Sequence, residues 1–124
     1  MAGPVDESAS RQFWEPDVLE IQLVDVLKAI ADPARLSILH GLADGEYHPC
    51  NVAEFGLPIH KSTLSHHFKT LREAGVTTTR VQGREAGVRL RFADLERRWP
   101  GLLPALLQAA SSHTYAPAGR TPTA

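Results

Sequence analysis

A run of polar and basic side chains between residues 61 and 69 has the types and spacing best suited to binding chemistry. Its members are Lys61, Ser62, Thr63, Ser65, His66 and Lys69. The small hydroxyl groups let a helix backbone come close to a partner, while Lys61 and His66 reach far enough to meet base edges or phosphate oxygens. Further cations follow at Arg80, Arg84 and Arg89. These residue types favour contact with a polyanion such as nucleic acid.

Catalytic and thiolate chemistry has fewer candidates. Cys50 is the only cysteine, so the chain cannot form an internal disulfide or a zinc site of several thiolates. A hydrolase using Cys50 with a histidine would need an oxyanion-binding turn and an orienting acid, and the sequence places neither beside it. His66 and His67 are adjacent on a predicted helix and point about 100° apart, so they do not share a ligand. We expect His67 to be a hydrogen-bonded core histidine and the chain not to be an enzyme.

The charge of the chain is small in total but unevenly distributed. With 124 residues, of which 43% are hydrophobic and 22% charged, the composition predicts one globular domain with a net charge of −1. Residues 1–58 carry three basic and ten acidic side chains, whereas residues 59–98 carry nine basic and four acidic ones. The basic block therefore coincides with the candidate binding residues. Short, interrupted apolar runs predict a cytoplasmic protein with neither a membrane span nor a signal peptide.

Capping residues and apolar periodicity predict four helices in the first part of the chain. Their approximate ranges are residues 18–30, 33–45, 51–56 and 61–74. Asp17, Asp32 and Asn51 supply side-chain caps at amino ends, and Gly56 and Gly75 suit the left-handed conformation that ends a helix. The first helix has more apolar surface than one core-facing side requires.

Two alternating segments rich in Thr, Val and Arg follow the fourth helix and predict a hairpin. They span residues 76–82 and 87–92 and are joined by residues 83–86. One helical turn at 94–98 and a last helix opened by Pro100 complete the order of four helices, a β-hairpin and a fifth helix. This order, with a polar and basic fourth helix and a basic hairpin, predicts a mainly α (α+β) winged helix-turn-helix fold.

Two motifs carry a resemblance to a known family. The segments LKAIADPARLSIL at 27–39 and KSTLSHHFKTLREAG at 61–75 closely resemble the arsenical-resistance-regulator (ArsR/SmtB) family of bacterial winged-helix repressors. The resemblance spans roughly residues 18–110. It implies a homodimer, built from the first and last helices, that binds a palindromic double-stranded DNA operator until a signal releases it. From it we expect the following dimer-interface residues: Leu19, Leu23, Trp99, Leu103 and Leu106.

The positions at which the family senses metal are altered in this chain. Many members use a Cys-x-Cys pair at the start of the third helix, and the matching positions are His48 and Cys50. A stable site needs three or four ligands, and residues 103–110 offer no histidine or acid for the family's other site. We therefore expect no metal or other cofactor, and a small-molecule inducer stays open. The alternatives are a metal- or thiol-responsive repressor that uses His48 and Cys50, and a winged-helix protein-interaction module without sequence-specific DNA binding.

The two ends of the chain have a different composition from its middle. Residues 1–16 and 111–124 are rich in Gly, Pro, Ser and Thr and show no apolar periodicity, which predicts disordered tails. The winged helix-turn-helix domain is expected at 17–110. A regulator of this kind would lie in the cytoplasm, associated with the nucleoid.

Overall fold

The fold sets a helix-turn-helix motif against a three-stranded sheet. The computed structural model describes residues 13–112. In chain order the elements are a 3-10 helix (Val18–Glu20), α1 (Leu23–Ile30), α2 (Pro33–Gly41), β1 (His48–Pro49), α3 (Val52–Phe55), α4 (Lys61–Glu73), β2 (Thr77–Gln82), β3 (Glu85–Leu90), α5 (Phe92–Arg98) and α6 (Leu102–Ser111). The predicted winged helix-turn-helix is confirmed, with differences at the first helix, the sheet and the chain ends.

Local capping explains where the helices of the motif begin and end. The Asp32 side chain accepts a hydrogen bond from the Arg35 amide at 3.0 Å, and Pro33 occupies the first position of α2. The Asn51 side chain accepts one from the Glu54 amide at 2.9 Å and so starts α3. α3 ends at Gly56, whose φ of 61° is left-handed. The chain then turns over residues 57–60 and enters α4, as predicted.

The predicted first helix is broken. A 3-10 turn at Val18–Glu20 is followed by extended backbone at Ile21 and Gln22 before α1 begins. Ile21 is 1% exposed and Val26 is 2% exposed. Five residues along one α-helix would point about 140° apart, so a continuous helix could not turn both side chains into the same core. The break lets both be buried.

The sheet has one strand more than the predicted hairpin. β2 and β3 pair antiparallel from Thr77 opposite Leu90 to Gln82 opposite Glu85, so the turn contains residues 83 and 84 only. β1 pairs antiparallel with the other edge of β3, which makes the strand order β1-β3-β2. A strand of two residues carries no alternation that a sequence could reveal. The single turn predicted at 94–98 is a longer helix, α5.

The core is formed by apolar side chains from the helices and the inner face of the sheet. Its fully buried members include Ile21, Ile38, Leu39, Leu42, Leu64, Leu71, Val76, Val88, Leu95 and Leu103. Leu103 is 2% exposed and packs in the core of its own chain, so its side chain has little surface for a partner, and its place at a dimer interface stays a prediction. Within residues 13–112, no helix is long and apolar enough to cross a bilayer.

The chain ends differ from the predicted tails where the structure describes them. Residues 13–16, placed in the amino-terminal tail, contact the domain: Pro16 is buried, and the Glu15 carboxylate accepts hydrogen bonds from Thr78 Oγ1 at 2.9 Å and the Thr79 amide at 3.0 Å. At the other end α6 continues through Ser111. Residues 1–12 and 113–124, to which the rest of the tail prediction applies, lie outside the described part of the chain.

Candidate nucleic-acid interface

The outward face of α4 carries the residues that the sequence singled out. Leu64, Phe68 and Leu71 are buried, and they fix the orientation of the helix on the core. The following side chains of α4 are exposed: Lys61, Ser62, Thr63, Ser65, His66 and Lys69. The helix therefore presents hydroxyl, imidazole and ammonium groups to solvent while its apolar side holds it in place.

His67 belongs to the buried side of α4. Its Nδ1 atom lies 2.9 Å from Nη1 of Arg35, whose Nε donates to the Ala29 carbonyl oxygen. Burial lowers the pKa of His67, with the Arg35 charge acting in the same direction. The neutral imidazole therefore accepts the Arg35 hydrogen bond, and this contact fastens α4 to α2. The prediction of a hydrogen-bonded core histidine is confirmed.

The amino end of α4 is open. His60, the residue before the helix, makes no side-chain hydrogen bond to the first turn. The first amide groups of an α-helix have no partner within the helix, and their partial positive charge attracts anions. With Lys61 beside them, these groups suit contact with a phosphate.

The β2–β3 hairpin, called the wing below, is basic. Arg84 lies in the turn at its tip, while Arg80 and Arg89 lie on one face of its strands because Arg80 pairs with Gly87, two positions before Arg89. All three arginines are exposed. Within residues 13–112 none of them forms an ion pair with a carboxylate. Their charges are therefore available to a partner outside the chain.

Tyr47 packs against the wing, and the sequence analysis missed it. Its ring centroid lies 3.9 Å from Cζ of Arg80 and 4.7 Å from Cζ of Arg89. Tyr47 precedes β1, and the pairing of β1 with β3 brings it to this face of the sheet. The sequence held one signal, an aromatic residue next to His48, but no pattern that connected it to the hairpin.

Three other arginines of the basic block are bound within the chain. Their side chains donate to backbone carbonyls of the amino-terminal segment: Arg72 Nε to Trp14 at 3.2 Å, Arg91 Nη1 to Pro16 at 2.7 Å, and Arg98 Nη1 to Val18 at 2.6 Å. Arg91 also donates from Nε to Asp94 at 3.0 Å. These guanidinium groups fix the amino-terminal segment to the domain, which separates them in role from the free arginines of the wing.

The His48 ring, shortly before α3, is hydrogen-bonded to two carboxylates. Its Nδ1 lies 2.6 Å from Glu54 Oε2, and its Nε2 lies 2.9 Å from Asp44 Oδ1. The hydrogen bond to Glu54, followed by that to Asp44, raises the pKa of His48 above its ordinary value. With both nitrogens protonated, the ring donates to both acids and connects α3 to the loop after α2.

His48 and Cys50 do not fit the metal-sensing pair that the resemblance implied. Both ring nitrogens of His48 are taken up by carboxylates. Burial raises the pKa of Cys50 to about 11, so its thiol is protonated at neutral pH and is a poor ligand. In the described range 13–112, no group of three or more His, Cys, Asp and Glu side chains is arranged to hold a metal ion.

An apolar strip is exposed on the amino-terminal helices. Leu19 is 77% exposed, and Leu23, Val24 and Leu27 follow along α1 at 38%, 59% and 42%. Of the other expected interface residues, Trp99 and Leu106 are partly buried against the core. Soluble chains rarely leave a continuous apolar strip uncovered without a partner for it.

The exposed second helix of the motif, the tight turn before it and the basic hairpin after it define a winged helix-turn-helix protein. A family model described as a helix-turn-helix domain matches residues 30–80. The transcriptional repressor BigR from Xylella fastidiosa shares the fold, with a TM-score of 0.53 and 24% sequence identity over 89% of this chain and 95% of that one.

Proteins of similar sequence identify the family of winged helix-turn-helix proteins to which this chain belongs. The uncharacterized HTH-type transcriptional regulator YceK of Bacillus subtilis (strain 168) is 40% identical over 82 residues, which are 65% of this chain and 82% of that protein. An arsenical resistance operon repressor of Staphylococcus aureus is 36% identical over 75 residues, 60% of this chain and 71% of the repressor. The chain belongs to the ArsR/SmtB family of winged helix-turn-helix transcriptional regulators. The predicted family is confirmed, as is the prediction of a regulator rather than an enzyme.

Proposed function

We propose that this protein is a homodimeric transcriptional repressor that binds a palindromic double-stranded DNA operator. The observation that carries the proposal is that the cations of the basic block, residues 59–98, fall into two groups. The arginines that face the amino-terminal segment are hydrogen-bonded within the chain, whereas Lys61, Lys69 and the three arginines of the wing are exposed and have no carboxylate partner in residues 13–112. A surface of free cations beside short hydroxyl side chains matches the phosphates and base edges of DNA.

Two kinds of contact follow from the side chains. Lys61, Lys69 and the open amino end of α4 meet phosphates and set the position of the helix in the major groove. The shorter Ser62, Thr63 and Ser65, together with His66, face base edges and read sequence. On the wing, the arginines contact the backbone or the adjacent minor groove. The relatives named as repressors support repression as the outcome of binding.

The apolar strip of Leu19, Leu23, Val24 and Leu27 supports the dimer. A second copy, packed about a two-fold axis through this strip and the partly exposed Trp99 and Leu106, would remove it from water. Two-fold symmetry places two copies of α4 on one side of the dimer, so the matching operator is a palindrome with half-sites about one helical turn apart.

The releasing signal is proposed to be a small molecule rather than a resident metal. The occupied nitrogens of His48 and the protonated Cys50 argue against a metal at these two positions. We infer that the protein works without a cofactor in the cytoplasm, on the DNA of the nucleoid.

DNA binding is tested by fluorescence anisotropy with the labelled region upstream of the protein's own gene, measured over a series of salt concentrations. Arg84→Ala and Lys69→Ala should each weaken binding and each lower the slope of log Kd against log salt by about 2, because the proposed homodimer loses one phosphate contact in each protomer. Arg97→Ala is the matched control, because Arg97 is an exposed cation of α5 outside the proposed interface, and it should leave the slope unchanged. Absence of binding at low salt, or equal slopes for all three variants and the parent protein, would refute the proposal.

A further inference from the structure

We propose that Tyr47 is a positioning residue that holds Arg80 and Arg89 together as one phosphate-binding pair on the wing. The inference rests on the proposed DNA binding and deepens it, because it adds to the interface a residue that does not touch DNA itself.

The sheet brings the three side chains to one place. Arg80 pairs with Gly87 across the hairpin, and Gly87 pairs with Pro49 on the other side, so Tyr47, two positions before Pro49, lies on the same face as Arg80. Gly87 has no side chain, and a Cβ placed there would meet Tyr47 Cδ1 at 3.4 Å. The tyrosine ring therefore lies over Gly87, in the space a larger residue would fill, where both arginines reach it.

The two positive charges of this cluster, on Arg80 and Arg89, favour binding of an anion. Two guanidinium carbons lie 3.9 Å and 4.7 Å from the centroid of one ring. Two cations attracted to the same ring repel each other, and within residues 13–112 neither Arg80 nor Arg89 has a carboxylate partner to offset that repulsion. An oxyanion bound between them would remove it. In a DNA-binding wing that oxyanion is a backbone phosphate.

The ring makes such binding more favourable by ordering the arginines beforehand. A free arginine side chain samples many rotamers, and fixing it on binding weakens affinity by roughly twofold to tenfold. Stacking on Tyr47 restricts those rotamers before DNA arrives. Arginine is suited to this arrangement because its planar guanidinium stacks on a ring while its N–H groups remain free to donate at the edge.

Tyr47→Leu is the variant that tests the proposal, and Tyr47→Phe is its matched control. Leucine removes the ring, whereas phenylalanine keeps the ring and its attraction for cations. We expect Tyr47→Leu to raise the Kd for the operator about three- to tenfold and Tyr47→Phe to change it less than twofold. The slope of log Kd against log salt should stay the same in both, because the number of cations is unchanged.

A double-mutant cycle separates positioning from a general structural effect. In an Arg80→Ala, Arg89→Ala background, Tyr47→Leu should have no further effect on the Kd, since the side chains that it positions are gone. If Tyr47→Leu does not fold by circular dichroism, the pair Arg80→Lys and Arg89→Lys decides: it keeps both charges, loses the stacked planes, and should reproduce the loss of affinity at an unchanged salt slope.

Several outcomes would overturn the proposal. They are an unchanged or lower Kd for Tyr47→Leu, a full additional loss in the arginine-free background, or parent-like binding by the lysine pair. These results leave the proposed DNA binding intact as long as the parent protein binds the operator. Failure of the parent to bind would refute the proposed function instead.

Discussion

Replacing Gly75 by alanine should destabilise this protein strongly, because the structure gives the position two separate requirements. Gly75 follows α4 and leads into β2, and its φ of 89° lies in the left-handed region. An alanine Cβ at this position would lie 2.6 Å from Cγ1 and 2.8 Å from Cδ1 of Ile21. Ile21 is 1% exposed, so it has no free space into which it can move.

The expected magnitude is the sum of two effects. Left-handed backbone costs a residue with a Cβ about 1–2 kcal/mol. Overpacking a tight core adds about 1–3 kcal/mol. Gly83→Ala isolates the first effect, because Gly83 has a φ of 63° and an alanine Cβ there would have no neighbouring atom within 4 Å. We therefore expect Gly75→Ala to lower the free energy of unfolding by about 1–3 kcal/mol more than Gly83→Ala does.

Urea unfolding followed by circular dichroism measures both variants, at one protein concentration because the stability of the proposed dimer depends on that concentration. Ile21→Ala supplies an internal check: in its background the alanine at 75 has room, so Gly75→Ala should cost less than it does alone. Equal destabilisation by Gly75→Ala and Gly83→Ala, or strict additivity with Ile21→Ala, would refute the steric argument.

Three further predictions concern groups whose surroundings are unusual. The two carboxylates beside His48 raise its pKa in the folded chain above the unfolded value of 6.5, so its contribution to stability is fully present below that pH and disappears as pH rises through the folded pKa. The difference in unfolding free energy between the parent protein and His48→Gln should therefore be largest below about pH 6.5 and shrink as the pH rises above it, and a constant difference would contradict the contact. Because burial raises the pKa of Cys50 to about 11, its reaction with a disulfide reagent at neutral pH should be much slower than that of the urea-unfolded chain; equal rates would exclude a protected thiol. Glu15→Ala leaves the Thr79 amide without its acceptor and should lower the free energy of unfolding by about 1–3 kcal/mol, against little change for the exposed Glu46→Ala; equal thermal stability of the two variants would count against the role of Glu15.

Much of the helix-turn-helix could be predicted because its signals are local. Asp32 and Asn51 cap the helices they were expected to cap, and Gly56 ends α3 in the left-handed conformation. Each of these hydrogen bonds joins two residues three positions apart. Over so short a separation, the sequence alone identifies the amide to which the capping side chain binds. The polar face of α4 follows in the same way from the spacing of its buried residues, since the helical period is fixed. The short strand β1 gave no such local signal.

The free and bound arginines show where local reasoning stops. In the sequence, Arg72, Arg91 and Arg98 belong to the same basic block as the wing arginines. In the structure, their side chains donate hydrogen bonds to backbone carbonyl oxygens 58, 75 and 80 residues away along the chain. No spacing rule connects partners so far apart, because their meeting depends on how the whole chain packs.

The sequence by itself indicated the family, through the resemblance of its segments at 27–39 and 61–75 to known members. It also determined the order of most elements and the residues exposed on α4, since helical period and capping act within a few positions. Tertiary structure decided the rest: the break before α1 that buries Ile21, the place of Leu103 in the core, and the ring of Tyr47 against Arg80 and Arg89. Each of these depends on contacts between distant segments, which form only when burial of apolar surface brings those segments together.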